Sequence, residues 1–231
     1  MECILAINIE DIELDTNWNE LIDLCSADKR TRIEKCRLAD DQKRILCGEL
    51  LIKYYFTKYL HLDIDLQYVY NQNNKPQLVK SHGIHFNISH SGKWVVCGFG
   101  YNELGIDIEK IHEVSVNVSK KCFNEAEEGY IFAKGQAEYA ERFTQMWTMK
   151  ESYVKYQGVG LGYGLKNFSI DHSNHTILDD KLEKNVYLYC CKFAEEYYIS
   201  YCSDTKSEVD ICIVRMEDIV KPCTSHMDNK L

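Results

Sequence analysis

Proline is almost missing from this chain: two occur in 231 residues, Pro76 and Pro222. No Gly/Ser-rich run is present either, so any two lobes must be joined tightly and not by a flexible linker. Positive charge is in deficit. The formal net charge of -9 disfavours a general nucleic-acid binder, because phosphate backbones are gripped by a surplus of Lys and Arg. No apolar run approaches the roughly 20 residues that a membrane-spanning helix needs. Residues 1–10 carry Glu2 and Asn8 and lack the basic start of a secretory signal. Eleven cysteines occur without a C-x-x-C pair, which argues against structural zinc. Their odd number, and the apolar surroundings of Cys97, Cys190, Cys191 and Cys212, point to buried, reduced thiols in the cytoplasm. The chain has no G-x-x-x-x-G-K-[ST] loop, which excludes a P-loop nucleotide hydrolase.

What is present is enough apolar and aromatic material for a real core: 45% hydrophobic residues and sixteen tyrosines. The length suits one large domain or two small ones. Alternation predicts a first strand over residues 3–9. A short helix follows over 17–25, and Ser26-Ala27-Asp28 can cap the basic stretch after it. Residues 40–60 step by three and four through Ile45, Leu46, Leu50 and Tyr54, the pattern of a long helix. Residues 61–70 are extended, and Asn71-Gln72-Asn73-Asn74-Lys75-Pro76 forms a turn. Between Lys29 and Arg44 cations gather, Arg32, Lys35 and Lys43 among them. Such a cluster is either a solvated helix face or a pocket for a polyphosphate.

Gly105-Ile106-Asp107-Ile108-Glu109-Lys110-Ile111 reads as a short buried strand. Successive strand side chains alternate faces, so Asp107 and Glu109 share one. Two carboxylates projecting together from a rigid strand can clamp Mg²⁺, which takes few protein oxygens and completes its shell with water or phosphate. The plain alternative is an edge strand with a solvated acidic face. Residues 86–100 read as strand, polar turn, strand, with Ser89, His90 and Ser91 at the mouth of a sheet. The Asp107 strand is expected to pair with residues 94–99 through a turn at 101–103. Residues 115–121 and 124–133 read as helices, the second capped by Asn124 with Glu127 at its third position. A long helix over 138–157 ends at Gly158 and Gly160. Trp147, Glu151 and Lys155 share one of its faces, and Glu151 with Lys155 taken alone is a surface ion pair. Strands are expected over 168–170, 186–192, 197–202 and 209–214, then a mobile tail over 225–231. Strands early and late with helices between give an α+β class, and a strand, helix, sheet order recurs loosely in each half.

Four segments, in this order and at these spacings, carry a resemblance. They are Phe86-Asn87-Ile88-Ser89-His90-Ser91, Gly105-Ile106-Asp107-Ile108-Glu109, residues 123–127, and Trp147-Thr148-Met149-Lys150-Glu151-Ser152-Tyr153-Val154-Lys155 running on to Gly160. Together they resemble the 4′-phosphopantetheinyl transferases of the surfactin-synthetase-activating type, over residues 26–214. The resemblance implies two similar α/β lobes related by a pseudo-twofold axis, residues 1–104 and 105–231, with coenzyme A in the cleft between them. It implies a monomer that moves 4′-phosphopantetheine from coenzyme A to a serine of an apo acyl or peptidyl carrier protein, releasing adenosine 3′,5′-bisphosphate.

Carried over residue by residue, the resemblance has Asp107, Glu109 and Glu127 hold Mg²⁺, with Glu125 and Glu128 standing near the third ligand. Lys155, His90 and Ser89 would meet the pyrophosphate. Lys29, Arg32 and Arg44 would grip the 3′-phosphate, Lys75 would lie near the nucleotide, and Glu151 would be the general base for the carrier serine. The carrier is expected to dock near residues 114–123 and the loop after Gly158. Two positions depart from the family pattern: Asn73-Asn74 replaces the usual glycine before Lys-Pro, and Arg32 stands where lysine is common. A phosphohydrolase or nuclease using Mg²⁺ would explain the carboxylates. It would not need the Ser89-His90 segment, the cation cluster and the 147–155 helix together. A non-catalytic coenzyme A or carrier-binding module would not need Asp107, Glu109, Glu151 and Lys155 all present.

Overall fold

The protein is described here by a computed structural model covering residues 2–12, 18–182, 184–206 and 208–219; the expected tail at 225–231 lies outside them. The first run of elements is β1 (Cys3–Asn8), α1 (Trp18–Asp23), α2 (Ala27–Lys35), α3 (Ala39–Leu60), β2 (Tyr68–Tyr70), β3 (Pro76–Leu78), β4 (His85–Ser91), β5 (Trp94–Gly100) and β6 (Leu104–Lys110). The second is α4 (Val116–Cys122), α5 (Glu125–Phe132), α6 (Gln136–Gln157), β7 (Ser169–Asp171), β8 (Thr176–Leu178), β9 (Tyr187–Phe193), β10 (Tyr197–Ser203) and β11 (Asp210–Ile213). The class is α+β, as expected. One sheet has the order β11-β1-β5-β4 and the other β6-β10-β9-β8-β7, with β2 and β3 as a separate hairpin.

Each sheet carries a 22-residue helix, α3 on the first and α6 on the second. The period of two in β1 explains why it is buried on both faces. Cys3, Leu5 and Ile7 pack beneath Leu46, Leu50 and Phe56 of α3, while Ile4 and Ala6 enter a third cluster between the sheets, with Ile106, Ile108 and Ile199. Tyr55 stacks on Phe99 with ring centroids 3.9 Å apart, locking α3 to β5. The last strand, β11, returns to lie parallel to β1, so the first sheet includes a strand from the end of the chain.

One pairing expectation fails. β6 pairs antiparallel with β10, Leu104 opposite Ser203 through Lys110 opposite Tyr197, and not with β5. The reason is that β1 and β4 already occupy both edges of β5. A second correction concerns Ser89, His90 and Ser91. They are the end of β4 itself, and the turn is only Gly92-Lys93, with Gly92 at φ +53°.

These polar residues have a structural task. β4 and β6 belong to different sheets, and side chains join them. Asn87 Oδ1, Ser89 Oγ and Ser91 Oγ accept the backbone N–H groups of Ile106, Ile108 and Lys110 at 2.9, 3.4 and 3.0 Å. Every second residue of β4 thus satisfies every second N–H of β6, which a buried strand requires. The face of β6 that carries Gly105 meets α6. A Cβ on Gly105 would lie 2.0 Å from the Ser152 carbonyl oxygen and 2.3 Å from the Tyr156 nitrogen. Glycine at 105 therefore sets how closely α6 approaches, and with it where Glu151 and Lys155 stand.

Candidate active site

Asp107 and Glu109 leave β6 on the face turned to α6, as strand alternation requires. Asp107 is buried. Its Oδ1 accepts from Ser89 Oγ at 2.8 Å and Lys155 Nζ at 2.7 Å, and Lys155 also donates to Ser89 at 2.9 Å. Glu109 Oε2 accepts from Ser91 Oγ at 2.7 Å. Glu151, one turn before Lys155 on α6, is buried as well. Lys155 therefore belongs to Asp107 and Ser89, and the simple Glu151–Lys155 surface pair is not the arrangement found.

The carboxylates crowd one another. Burial, then the charge of Asp107, raises the Glu109 carboxyl above its ordinary range, against the opposing hydrogen bond from Ser91. Burial pushes Glu151 up to about 7, with Asp107 adding to the shift and Lys155 opposing it. Asp107 Oδ2 and Glu151 Oε1 are both buried without a hydrogen-bond partner. Unpartnered buried carboxylate oxygens cost free energy, so this corner is short of positive charge.

A separate cleft gathers the expected cations. Lys29, Arg32, Arg44 and His90 line one cleft of about 750 Å³ between α2, α3, β4 and the β2-β3 hairpin. Ser26 caps α2 by accepting from the Lys29 N–H, which fixes the turn carrying Lys29 and Arg32. Lys29 Nζ lies 5.5 Å and 5.9 Å from the ring centres of Tyr68 and Tyr70, an arrangement that holds a cation at low entropic cost. Arg44 is braced by Asp41 at 2.7 Å and the Gly92 carbonyl at 2.8 Å. Burial, then the charges of Arg44 and Lys155, lowers the affinity of His90 for a proton. His90 lines the cleft from β4, where it alternates with Ser89 and Ser91.

Two expected site residues lie elsewhere. Lys75 Nζ donates to Glu103 at 2.8 Å and to the carbonyls of Leu104 and Tyr156 at 3.0 and 3.2 Å. Its amine clips the seam, while its neighbours Asn74 and Pro76 line the cleft. Asn74 has φ +64°. That conformation is ordinary for glycine and next most accessible to Asn, which is why this chain does without the glycine. Asn71 and Asn73 both donate to the Gly158 carbonyl, tying the turn to the end of α6. Glu127 is committed to the fold. Its Oε1 accepts from Lys150 Nζ at 2.8 Å and the Ile170 N–H at 3.0 Å, and its Oε2 from the Asn124 N–H at 2.9 Å, closing a capping box. It does not join Asp107 and Glu109.

Two comparisons bear on this arrangement. Residues 103–202 match the 4′-phosphopantetheinyl transferase superfamily, and residues 13–99 match the family described as 4′-phosphopantetheinyl transferase, N-terminal. The 4′-phosphopantetheinyl transferase Sfp of Bacillus subtilis is 34% identical over 162 residues, 69% of this chain and 72% of the relative. The 4′-phosphopantetheinyl transferase gsp of Aneurinibacillus migulanus is 31% identical over 221 residues, 94% of this chain and 92% of the relative. The chain belongs to the 4′-phosphopantetheinyl transferase superfamily. It is an enzyme of a transferase family.

Within this phosphopantetheinyl transferase, sequence reasoning missed two buried charges. Lys150 is fully buried, and its Nζ donates to Glu127 and to the carbonyls of Leu165 and Phe168 at 2.7 and 2.9 Å. A signal existed: Lys150 falls on the apolar stripe of α6 with Phe143, Met146 and Tyr153. Glu49, also buried, accepts from the Ser26 N–H at 3.0 Å and the Tyr68 hydroxyl at 2.6 Å. It braces the cation cleft from below.

Proposed function

We propose that this protein transfers the 4′-phosphopantetheine group of coenzyme A to a serine hydroxyl of an apo acyl or peptidyl carrier protein, releasing adenosine 3′,5′-bisphosphate. One observation carries the reading: β4 brings His90 into one cleft with Lys29, Arg32 and Arg44 and, one residue earlier, sets Ser89 on Asp107 beside Lys155. Coenzyme A has that order of charge, a 3′-phosphate at one end and a pyrophosphate bearing the reacting bond further along. Residues 1–104 would hold the nucleotide end, and residues 105–231 would carry the chemistry and the carrier. We take the working form to be a cytoplasmic monomer; among the described residues no helix is long and apolar enough to cross a membrane.

In this reading Lys29, Arg32 and Arg44 grip the 3′-phosphate, and His90, Ser89 and Lys155 orient the pyrophosphate. Phosphoryl transfer needs position and charge neutralisation more than covalent help. Asp107 and Glu109 would hold Mg²⁺. The fit rests on the unpartnered Asp107 Oδ2 and the mutual repulsion of the carboxylates. Among the described residues no group of three His, Cys, Asp or Glu side chains is placed to hold a metal ion; a cation on Asp107 and Glu109 would take its remaining oxygens from pyrophosphate and water. Bound there, Mg²⁺ would neutralise charge on the pyrophosphate as the bond to the bisphosphate breaks. Glu151 takes the proton of the attacking serine. We assign Glu127 to the support of α6 and not to the cation.

Mass spectrometry tests the transfer. An apo carrier protein incubated with this enzyme, coenzyme A and Mg²⁺ should gain one phosphopantetheine group on its serine. An unmodified carrier would overturn the reading. The cleft assignment has its own test. Arg32→Ala should weaken coenzyme A binding by about 1.5 kcal/mol, the low end for a charge-assisted hydrogen bond because Arg32 is solvent-exposed. Binding of 3′-dephospho-coenzyme A should be unchanged, and calorimetry with both ligands reads the difference. Equal losses for the two would detach the cluster from the 3′-phosphate. For the carrier, α4 offers exposed Val116 and Val118 beside Lys120 and Lys121, a surface suited to an acidic partner with an apolar centre. Val118→Asp should raise the KM for carrier and leave that for coenzyme A unchanged in steady-state kinetics; an unaltered carrier KM removes α4 from the docking face.

A further inference from the structure

We infer that Ser91 is a positioning residue for the Glu109 carboxylate, fixing it in the orientation the cation needs; this rests on the proposed Mg²⁺ role of Asp107 and Glu109. A serine hydroxyl has one proton to donate and two lone pairs to accept with. Ser91 Oγ accepts the Lys110 N–H at 3.0 Å, and its proton goes to Glu109 Oε2 at 2.7 Å. The backbone of β6 thus aims the Ser91 hydroxyl at the carboxylate two residues from Asp107. Ser89 does the same for Asp107, accepting the Ile108 N–H and donating to Asp107 Oδ1 at 2.8 Å. Two serines two residues apart on β4 match two carboxylates two residues apart on β6, because both strands share a period of two.

The two pairs are not equivalent. Asp107 has Lys155 as a second donor, so losing Ser89 would leave it held. Lys155 and His112 act on Glu109 through their charge, and the hydrogen bond it receives comes from Ser91. Glutamate also has one more rotatable bond than aspartate, and so more freedom to lose when it is ordered around an ion. Of the two serines, Ser91 should therefore matter more for cation affinity.

The test is a Mn²⁺ titration of the purified enzyme followed by electron paramagnetic resonance, with Mn²⁺ standing in for Mg²⁺. Ser91→Ala should weaken Mn²⁺ binding by about 10–100-fold, the usual consequence of removing an outer-shell partner. Adenosine 3′,5′-bisphosphate should bind as before, because the cation cleft is untouched. Ser91→Thr should restore Mn²⁺ affinity, since the hydroxyl returns and a β-branched residue suits a strand. Ser91→Cys keeps the side-chain shape with a weak donor and should fall between, which covers an alanine variant that folds poorly. Glu109→Gln separates the two levels. Weaker Mn²⁺ binding in Glu109→Gln with wild-type binding in both Ser91→Ala and Ser91→Cys overturns the Ser91 role alone. Wild-type Mn²⁺ binding in Glu109→Gln overturns the metal reading beneath it and the Ser91 role with it. A loss of Mn²⁺ and bisphosphate binding together in Ser91→Ala, unrescued by threonine, would mark Ser91 as merely structural.

Discussion

Glu151→Gln is expected to lower carrier modification by about 10²–10⁴-fold, the scale of general-base catalysis, while coenzyme A binds almost as in the wild type. The amide is isosteric, and Lys155, which we place on the pyrophosphate, stays bonded to Asp107 and Ser89. The pH dependence carries the sharper signature. Burial, then Asp107, pushes Glu151 up to about 7. A base must be deprotonated to act, so kcat/KM of the wild type should rise as pH climbs through about 7 and level off above it. The variant should lack that limb. Calorimetry with coenzyme A alongside a pH–rate profile separates the outcomes. Unchanged turnover with the acidic limb intact would end the assignment of Glu151 as base.

Lys150→Met should destabilise the fold by about 3–5 kcal/mol, because it leaves Glu127 charged and unpaired in the interior. The side chains of Lys150 and Glu127 are 0% and 1% exposed, so water cannot take the missing partner's place. Three structural pieces meet at this pair: the first turn of α5 through Asn124, the middle of α6, and the segment from Leu165 to Ile170. Glu127→Gln should cost a similar amount, since Lys150, whose proton affinity burial already lowers, would lose its counter-charge. Joining both changes should recover part of the loss, as buried pairs replaced together are far less damaging than pairs broken singly. Urea denaturation with an unchanged slope reads these differences. Single variants within about 1 kcal/mol of wild type would show that the Lys150–Glu127 pair does not hold these pieces together.

The site was more legible in the sequence than the fold that holds it. Asp107 and Glu109 declared themselves because strand alternation is local: two residues apart means one face. Helical spacing likewise put Glu151 and Lys155 on one face of α6. The partner of β6 was hidden, since β10 lies some ninety residues downstream and nothing in residues 94–110 records that β1 takes the edge of β5. Ser89 and Ser91 looked like turn residues because polarity in a chain usually marks exposure. Here their hydroxyls complete the hydrogen bonding of a neighbouring strand. Glu127 looked available as a ligand until Lys150 was seen opposite it. A lysine on a helix is read as solvated by default, and only its place among Phe143, Met146 and Tyr153 marked it as buried. The three-residue strands β3 and β8 are too short for periodicity to register.

In the proposed reaction the cation cleft and the carboxylates serve one displacement, in which a carrier serine and not water takes the phosphopantetheine. Chromatographic counting of adenosine 3′,5′-bisphosphate, with and without apo carrier, tests it most directly. One bisphosphate should be released for each phosphopantetheine gained by the carrier, and coenzyme A should stay intact when the carrier is left out. Steady release of bisphosphate without carrier would contradict it and make the protein a hydrolase of coenzyme A.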